Sequence, residues 1–403
     1  MYIHRQLEPT LEKAAIQFPS VVLTGPRQSG KTTLLKKLFA NTHKYVSLEL
    51  PDVRSAAVSD PRGFLAYYKP PVIFDEVQYA PELLSYIKEY IDENRSLKGQ
   101  FILSGSQNLL LSQHISETLA GRVAILCLLP LSFKEITGRI NSAMPWENEN
   151  FVPGKNTNAD ESLWRYLIRG GYPELNAEPD RDESLWHAGY MHSYLEKDLR
   201  TLRQVGDLTQ FQIFIRTIAA RNGQLFNMTE VSRELGLAVN TIKAWLSVLE
   251  ASYQIIILRP YYKNAGKRLV KTPKIYLTDT GTLCYLAGIK TRELITAGTF
   301  GGGLFEAAVL LEIIKYYRNQ GMEPNTYFWR TSFGNEVDII VEANGNCIPI
   351  EIKLSSTPRQ KMADGIDAFR KDFPDSHKGY LIHSGDTALP LGANTLALPF
   401  QIM

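Results

Sequence analysis

The sequence predicts an α/β protein in three parts: a parallel-sheet unit over 1–135, a linker and helical region over 136–260, and a second α/β unit over 261–403. Three observations predict it. Short β-rich runs at 21–24, 72–74, 101–103 and 123–128 alternate with stretches of helical spacing at 34–39 and 82–90, the pattern of a parallel sheet with crossover helices. Apolar positions then recur with helical period through 163–168, 191–202 and 211–220. From 261 onward strand-like and helix-like stretches mix again. Between the first two parts, residues 140–160 are polar, rich in Asn and Pro and without period, and read as the linker.

Composition narrows the class. A chain of 403 residues has, as a soft prior, two to three domains, and 44% hydrophobic with 21% charged residues is a globular mixture. Lys plus Arg is 44 against 42 Asp plus Glu, so any nucleic-acid binding has to come from local patches and not from net charge. Cys127, Cys284 and Cys347 are too far apart for a zinc-spacing pair or a disulfide framework, which fits a reducing compartment. Every apolar run breaks before membrane-spanning length, and the first eighteen residues lack the apolar core of a signal peptide. The expectation is a soluble, cytoplasmic protein without a membrane partner.

The first element carries the strongest signal. Gly25-Pro26-Arg27-Gln28-Ser29-Gly30-Lys31-Thr32 fills the Walker A pattern, follows an apolar strand and opens a helix from Thr33. The glycines let the backbone curl so that its N–H groups face phosphate, and the helix adds its positive end. Lys31 is placed to reach β- and γ-phosphates and Thr32 to give its hydroxyl to Mg²⁺. ATP and Mg²⁺ are therefore the expected ligands.

The next elements support that reading. Val72-Ile-Phe-Asp75-Glu76 is an apolar strand ending in two acids, Asp75 for Mg²⁺ and Glu76 to polarise the attacking water, which points to hydrolysis and not binding alone. The strand at 101–103 runs into Ser104-Gly105-Ser106-Gln107. Ser106 is the first candidate for sensing the γ-phosphate and Ser104 the second, against a plain strand-to-turn transition. Arg122 is a candidate to neutralise γ-phosphate charge, in its own chain or in a neighbouring subunit; a surface salt bridge is the other reading.

Gly25-Pro-Arg-Gln-Ser-Gly-Lys-Thr-Thr33, Asp75-Glu-Val-Gln78 with Pro81, Leu103-Ser-Gly-Ser106, and Leu119-Ala-Gly-Arg122 followed by Leu129-Pro-Leu-Ser-Phe133 occur in that order. They resemble a large family of prokaryotic AAA-type ATPases that carry a C-terminal domain of unknown function related to restriction-type nucleases. Gly170-Gly-Tyr-Pro173, Tyr194-Leu-Glu-Lys-Asp198 and Lys274-Ile-Tyr-Leu-Thr-Asp279-Thr-Gly281 extend the likeness over nearly the whole chain. The resemblance implies a P-loop ATPase domain, a central helical part and a nuclease-like end, and AAA-type ATPases often form rings of identical subunits. Many of them place Asn at the sensor position, where this chain offers Ser or Gln107.

In the central region, Met228-Thr-Glu-Val-Ser-Arg-Glu-Leu235 and Asn240-Thr-Ile-Lys-Ala-Trp-Leu-Ser-Val-Leu249, joined through Gly236, form a helix-turn-helix pattern with Thr229 as the expected N-cap and 253–258 as the expected wing. Asn240, Thr241 and Lys243 then start the second helix, where contacts to DNA arise. Glu230, Glu234 and Glu250 dilute the positive charge such binding needs, so packing between domains is an equal reading.

The last part holds a carboxylate–lysine constellation. Asp338 lies on one strand, and Glu351 and Lys353 share a face of the next by their i, i+2 spacing. Asp338 and Glu351 are candidates to hold Mg²⁺, with Lys353 orienting water and Glu306, from the preceding helix, adding a ligand. This resembles the metal core of restriction-endonuclease-like folds. A solvated hairpin edge, or a folded module that does not cut, is the other reading. Lys263, Lys267, Arg268, Lys271 and Lys274 form a candidate phosphate track. The expected function is ATP hydrolysis coupled to a DNA-binding, nuclease-like part in DNA processing or defence. The alternatives are a nucleotide-controlled module whose end is inert, and a transport or signalling ATPase.

Overall fold

The computed structural model describes residues 2–105, 118–140, 142–148, 151, 153, 159–194, 207–262 and 271–403. Its first sheet contains β1 (Ser20–Thr24), β2 (Lys44–Ser47), β3 (Val72–Asp75), β4 (Phe101–Ser104) and β5 (Val123–Cys127), in the order β2-β3-β4-β1-β5. Every pairing is parallel. β1, β3 and β4 are buried at every position, as strands covered on both faces must be. One face buries Val22, Phe74 and Leu103 with the apolar stripe of α5 (Leu83–Glu93), and the other buries Val21, Leu23 and Ile73 with α1 (Glu8–Gln17) and α2 (Lys31–Phe39). Two further helices between β2 and β3, α3 (Pro51–Ser59) and α4 (Pro61–Tyr67), add Ala57 and Phe64 to the first face. Because β4 lies between β1 and β3, the ends of all three strands converge on one edge, with Ser104 opposite Leu23.

After β5 the chain makes one capped turn, α6 (Phe133–Ile136). Ser132 and Glu135 form a reciprocal capping box there. Within the expected linker, Met144 and Trp146 are buried, and Trp146 Nε1 donates to Tyr317 Oη at 2.9 Å. Polar neighbours hide these two apolar residues from a composition reading.

The helical region contains α7 (Ala159–Arg169), α8 (Pro173–Ala177), α9 (Glu183–Tyr194), α10 (Leu208–Ala220), α11 (Met228–Leu235) and α12 (Val239–Ala251). Gly236, with φ 65°, makes the left-handed turn out of α11. Asn227, not Thr229, caps α11, accepting from the N–H groups of Thr229 and Glu230. The expected wing starts two residues later than read, as β6 (Ile255–Pro260), and pairs antiparallel with β7 (Lys274–Leu277). A boundary at 260 therefore cuts between paired strands. α13 (Thr280–Ala287) packs on α7, α9 and α10, and α14 (Arg292–Ala297) follows, so helical structure continues well beyond it.

The final unit runs α15 (Phe300–Asn319), β8 (Thr326–Arg330), β9 (Glu336–Ala343), β10 (Asn346–Lys353), α16 (Asp364–Asp372), β11 (Gly379–His383), β12 (Leu389–Pro390) and β13 (Thr395–Pro399). The sheet order is β12-β13-β11-β10-β9-β8-β6-β7. β9 and β10 form an antiparallel hairpin, whereas β10, β11 and β13 run parallel. α15 is buried on nearly every side, and one continuous apolar core joins it to the helical region and to this sheet.

Candidate functional site

The loop between β1 and α2 is curled as its sequence demands. Gly25 has φ 141°, and a β-carbon there would lie 2.2 Å from the Leu128 carbonyl oxygen, so only glycine fits. Gln28 and Gly30 adopt left-handed conformations, with φ 60° and 93°. Lys31 is buried, and its ammonium donates to the carbonyls of Gly25 at 3.0 Å and Pro26 at 2.9 Å. Burial pushes its pKa down, and the negative charges of Glu76 and Asp75 oppose that shift. The lysine thus rests on its own loop. Thr32 and Thr33 occupy the first turn of α2, where the leading N–H groups have no partner within the helix.

Asp75 is the hub of the acidic side. Its carboxylate accepts from Thr32 Oγ1 at 2.8 Å, from Tyr45 Oη at 2.7 Å and from the Ser104 hydroxyl. Ser104, read as a second sensor candidate, therefore fixes the acid; Ser106 and Gln107 lie outside the described residues. Glu76 follows in a left-handed conformation, φ 58°, and the Gln78 side-chain amide donates to its carboxylate. Arg27, Gln28, Gly30, Lys31, Thr32 and Glu76 line one side of a cavity of about 690 Å³.

Local reading missed the other walls. Tyr2, Ile3 and Arg5 come from the N-terminal segment; Pro173, Glu174 and Ala177 come from α8, and Tyr190 and Tyr194 from α9. The signal was the Gly170-Gly171-Tyr172-Pro173 stretch. A β-carbon on Gly171 would stand 2.3 Å from the Leu131 carbonyl oxygen, so glycine permits the close approach. Gly171 accepts from Leu131 N–H at 2.6 Å and donates to Asp279 Oδ2 at 2.7 Å. That seat brings Pro173 against Gly30, with its Cγ 3.5 Å from the position a β-carbon on Gly30 would take.

Arg122 is not brought to this cavity. β5 pairs with β1 from Val123 opposite Ser20, so Arg122 sits at the sheet edge away from Thr24 and the loop. Its guanidinium forks onto Asp92 at 2.7 and 3.0 Å, the surface ion pair that the sequence left open.

The C-terminal residues are brought together in part. Lys353 Nζ lies 2.5 Å from Glu351 Oε1 and 3.8 Å from Asp338 Oδ2, which also accepts from Ile352 N–H at 2.8 Å. Glu306 is engaged separately, by Lys274 at 3.0 Å and Tyr276 at 2.5 Å. Lys274 is buried and also pairs with Glu336 at 2.7 Å, so it is an internal cation and no part of an exposed track. Lys263, Lys267 and Arg268 lie outside the described residues, and Lys271 is exposed. Burial, followed by the Asp338 charge, raises Glu351 to about 8 and Glu306 to about 7. Glu351 Oε2 is buried without a hydrogen-bond partner among the described residues. Among the described residues, no group of three or more His, Cys, Asp or Glu side chains is arranged to hold a metal ion.

On α12, Asn240 and Lys243 are exposed and Thr241 is half-buried. Glu230 and Glu234, expected to dilute positive charge nearby, are paired with Arg221 at 3.4 and 2.5 Å.

Residues 17–137 match the family described as an AAA domain. Residues 160–293 and 301–403 match two domains of unknown function, DUF8612 and DUF4143; the first match ends within α14 and the second begins at the start of α15. The chain is 29% identical over 399 residues to an uncharacterized protein of Mycobacterium tuberculosis, covering 98% of this chain and 83% of that one. An uncharacterized protein of Methanocaldococcus jannaschii is 22% identical over 378 residues, 88% and 78% of the two chains. Among solved structures, a Walker-type ATPase of Pyrococcus abyssi is 17% identical and covers 71% of this chain and 96% of its own, with a TM-score of 0.45. The family match over residues 17–137 and the loop geometry support an AAA-type P-loop domain in the first unit. No helix among the described residues is long and apolar enough to cross a membrane.

Proposed function

We propose that the chain binds ATP with Mg²⁺ in the cavity between the P-loop and α8–α9 and hydrolyses it. The observation that carries this reading is the grouping of Lys31, Thr32, Asp75 and Glu76 around the curled loop. Lys31 is desolvated and donates to two carbonyls of its own loop, so a triphosphate offers it stronger, charge-assisted acceptors. The hydroxyl of Thr32 and the carboxylate of Asp75, 2.8 Å apart, are hard oxygen donors within reach of one cation. They fit magnesium, which takes one or two protein oxygens and completes its shell with phosphate and water. An ion so held supplies charge neutralisation at the phosphate oxygens. Glu76, steadied by Gln78, takes the hydrogen bond of the attacking water and orients it toward the γ-phosphate. Lys31→Ala is expected to abolish ATP binding. Glu76→Gln should keep ATP affinity and lower turnover by about 10²–10⁴. Wild-type hydrolysis in either variant contradicts the assignment.

A second reading concerns the remainder of the chain: nucleotide state controls a DNA-binding, nuclease-like part in DNA processing or defence. Its support is the helix–three strands–helix–strand order from α15 to β11, with Asp338, Glu351 and Lys353 on neighbouring strands, which resembles restriction-endonuclease-like folds. The exposed Asn240 and Lys243 near the start of α12, which is followed by the antiparallel β6–β7 pair, suit a winged helix on DNA. The ion pairs of Lys353 and Lys274 suit the inert alternative equally. DNA incubated with Mg²⁺ and ATP, against Lys353→Ala, separates the two: Lys353-dependent cleavage supports a nuclease, and no cleavage under any nucleotide condition supports the inert module.

A further inference from the structure

Arg5 is the least expected residue at the cavity. It is 5% exposed, and each arm of its guanidinium meets a different segment. Nη1 donates to the Ser29 carbonyl at 2.8 Å, Nη2 to the Leu129 carbonyl at 2.6 Å, and Nε to Glu135 Oε1 at 3.1 Å. Glu135 is itself held, by Gln6 N–H on Oε1 and Ser132 N–H on Oε2, both at 2.7 Å. Arg5 N–H donates to Glu8 at 2.7 Å. Arg5 is therefore held at its main chain and at all three guanidinium nitrogens before any ligand arrives.

Its bond to Ser29 has a direct consequence in the phosphate loop. In a trans peptide the C=O and the following N–H point in opposite directions. With the Ser29 carbonyl turned onto Arg5, the N–H of Gly30 is turned away from Arg5, and Gly30 lines the cavity. A loop whose φ at Gly30 is 93° has glycine's freedom to flip this peptide, so something has to hold it. Lysine has no planar fork and cannot serve three acceptors in these directions.

We infer that Arg5 is a positioning residue of the phosphate cradle: through Ser29 it locks the 29–30 peptide so that the Gly30 N–H is presented to the polyphosphate. The inference rests on the ATP-binding reading. A preset amide serves bound ATP and the transition state alike, so its loss raises KM and leaves kcat nearly unchanged. Arg5→Lys in the full chain is expected to raise KM for ATP about ten- to a hundredfold, the effect of losing charge-assisted and preset hydrogen bonds. Thermal unfolding of the same sample separates this from general loosening, because destabilisation alone lowers the active fraction and so the apparent kcat.

KM within threefold of wild type in a folded Arg5→Lys protein overturns the inference, as does a fall in kcat at unchanged KM. Should Arg5→Lys fail to fold, Glu135→Gln decides: its amide keeps the shape of the anchor but weakens the hold on Nε, and a KM raised threefold or more supports the inference, an unchanged one overturns it. The two readings fail differently. Wild-type protein that binds no ATP sinks both; wild-type protein that binds ATP, with variants indistinguishable from it, sinks only this one.

Discussion

His187 shows how one buried side chain sets a measurable pH response. It is 1% exposed, with Nε2 3.4 Å from the Arg169 carbonyl and Nδ1 3.4 Å from Thr282 Oγ1. Burial holds its pKa below the usual value near 6.5, and the Asp279 charge only partly offsets this. The folded chain therefore favours the neutral ring. Its contribution to stability is present above about pH 6.5 and is lost as pH falls through the lower folded value. Thermal unfolding from pH 7.5 to pH 5 should show His187→Gln losing less stability than wild type. Parallel losses in the two proteins would remove His187 from the acid response.

At the scale of elements, the turn from α7 into α8 decides whether the cavity has its far wall. Gly171→Ala places a carbon 2.3 Å from a main-chain oxygen that Lys315 also engages at 2.8 Å, so neither partner gives way cheaply. The expected cost is about 1–3 kcal/mol of stability, as for overpacking elsewhere, together with weaker ATP binding as Pro173 is displaced. Unfolding and nucleotide titration of the same variant test both parts; a drop in stability with unchanged affinity would detach α8 from the site. The parallel strands and the phosphate loop were legible in the sequence because their signals are local: an apolar run, a fixed glycine spacing, two acids at a strand end. The Asp338–Glu351–Lys353 grouping was legible through strand alternation. The far walls of the cavity were not, because Tyr2, Arg5 and Pro173 meet the loop only through tertiary packing. Nor was the pairing of β6 with both β7 and β8, which joins two regions that look separate along the chain.

The units of the molecule meet at the stretch 129–133. Leu129 gives its carbonyl to Arg5, Leu131 its N–H to Gly171 and its carbonyl to Lys315, and Phe133 its N–H to Glu312 at 2.8 Å. The N-terminal segment, the helical region and α15 are thus hydrogen-bonded to one stretch that follows β5. Tyr253, two residues past α12, adds a further tie by donating to Thr24 Oγ1 at 2.7 Å, one residue before the phosphate loop. Main-chain groups buried in this way must find partners, so the junction constrains all three units at once. The most direct measurement is a crystal structure of the full chain with Mg²⁺ and a non-hydrolysable ATP analogue. The predicted result is Lys31 Nζ moved from the Gly25 and Pro26 carbonyls onto the β- and γ-phosphates, with Thr32 and Asp75 around the metal. A chain soaked to saturation with its cavity empty and Lys31 still on those carbonyls would contradict the account.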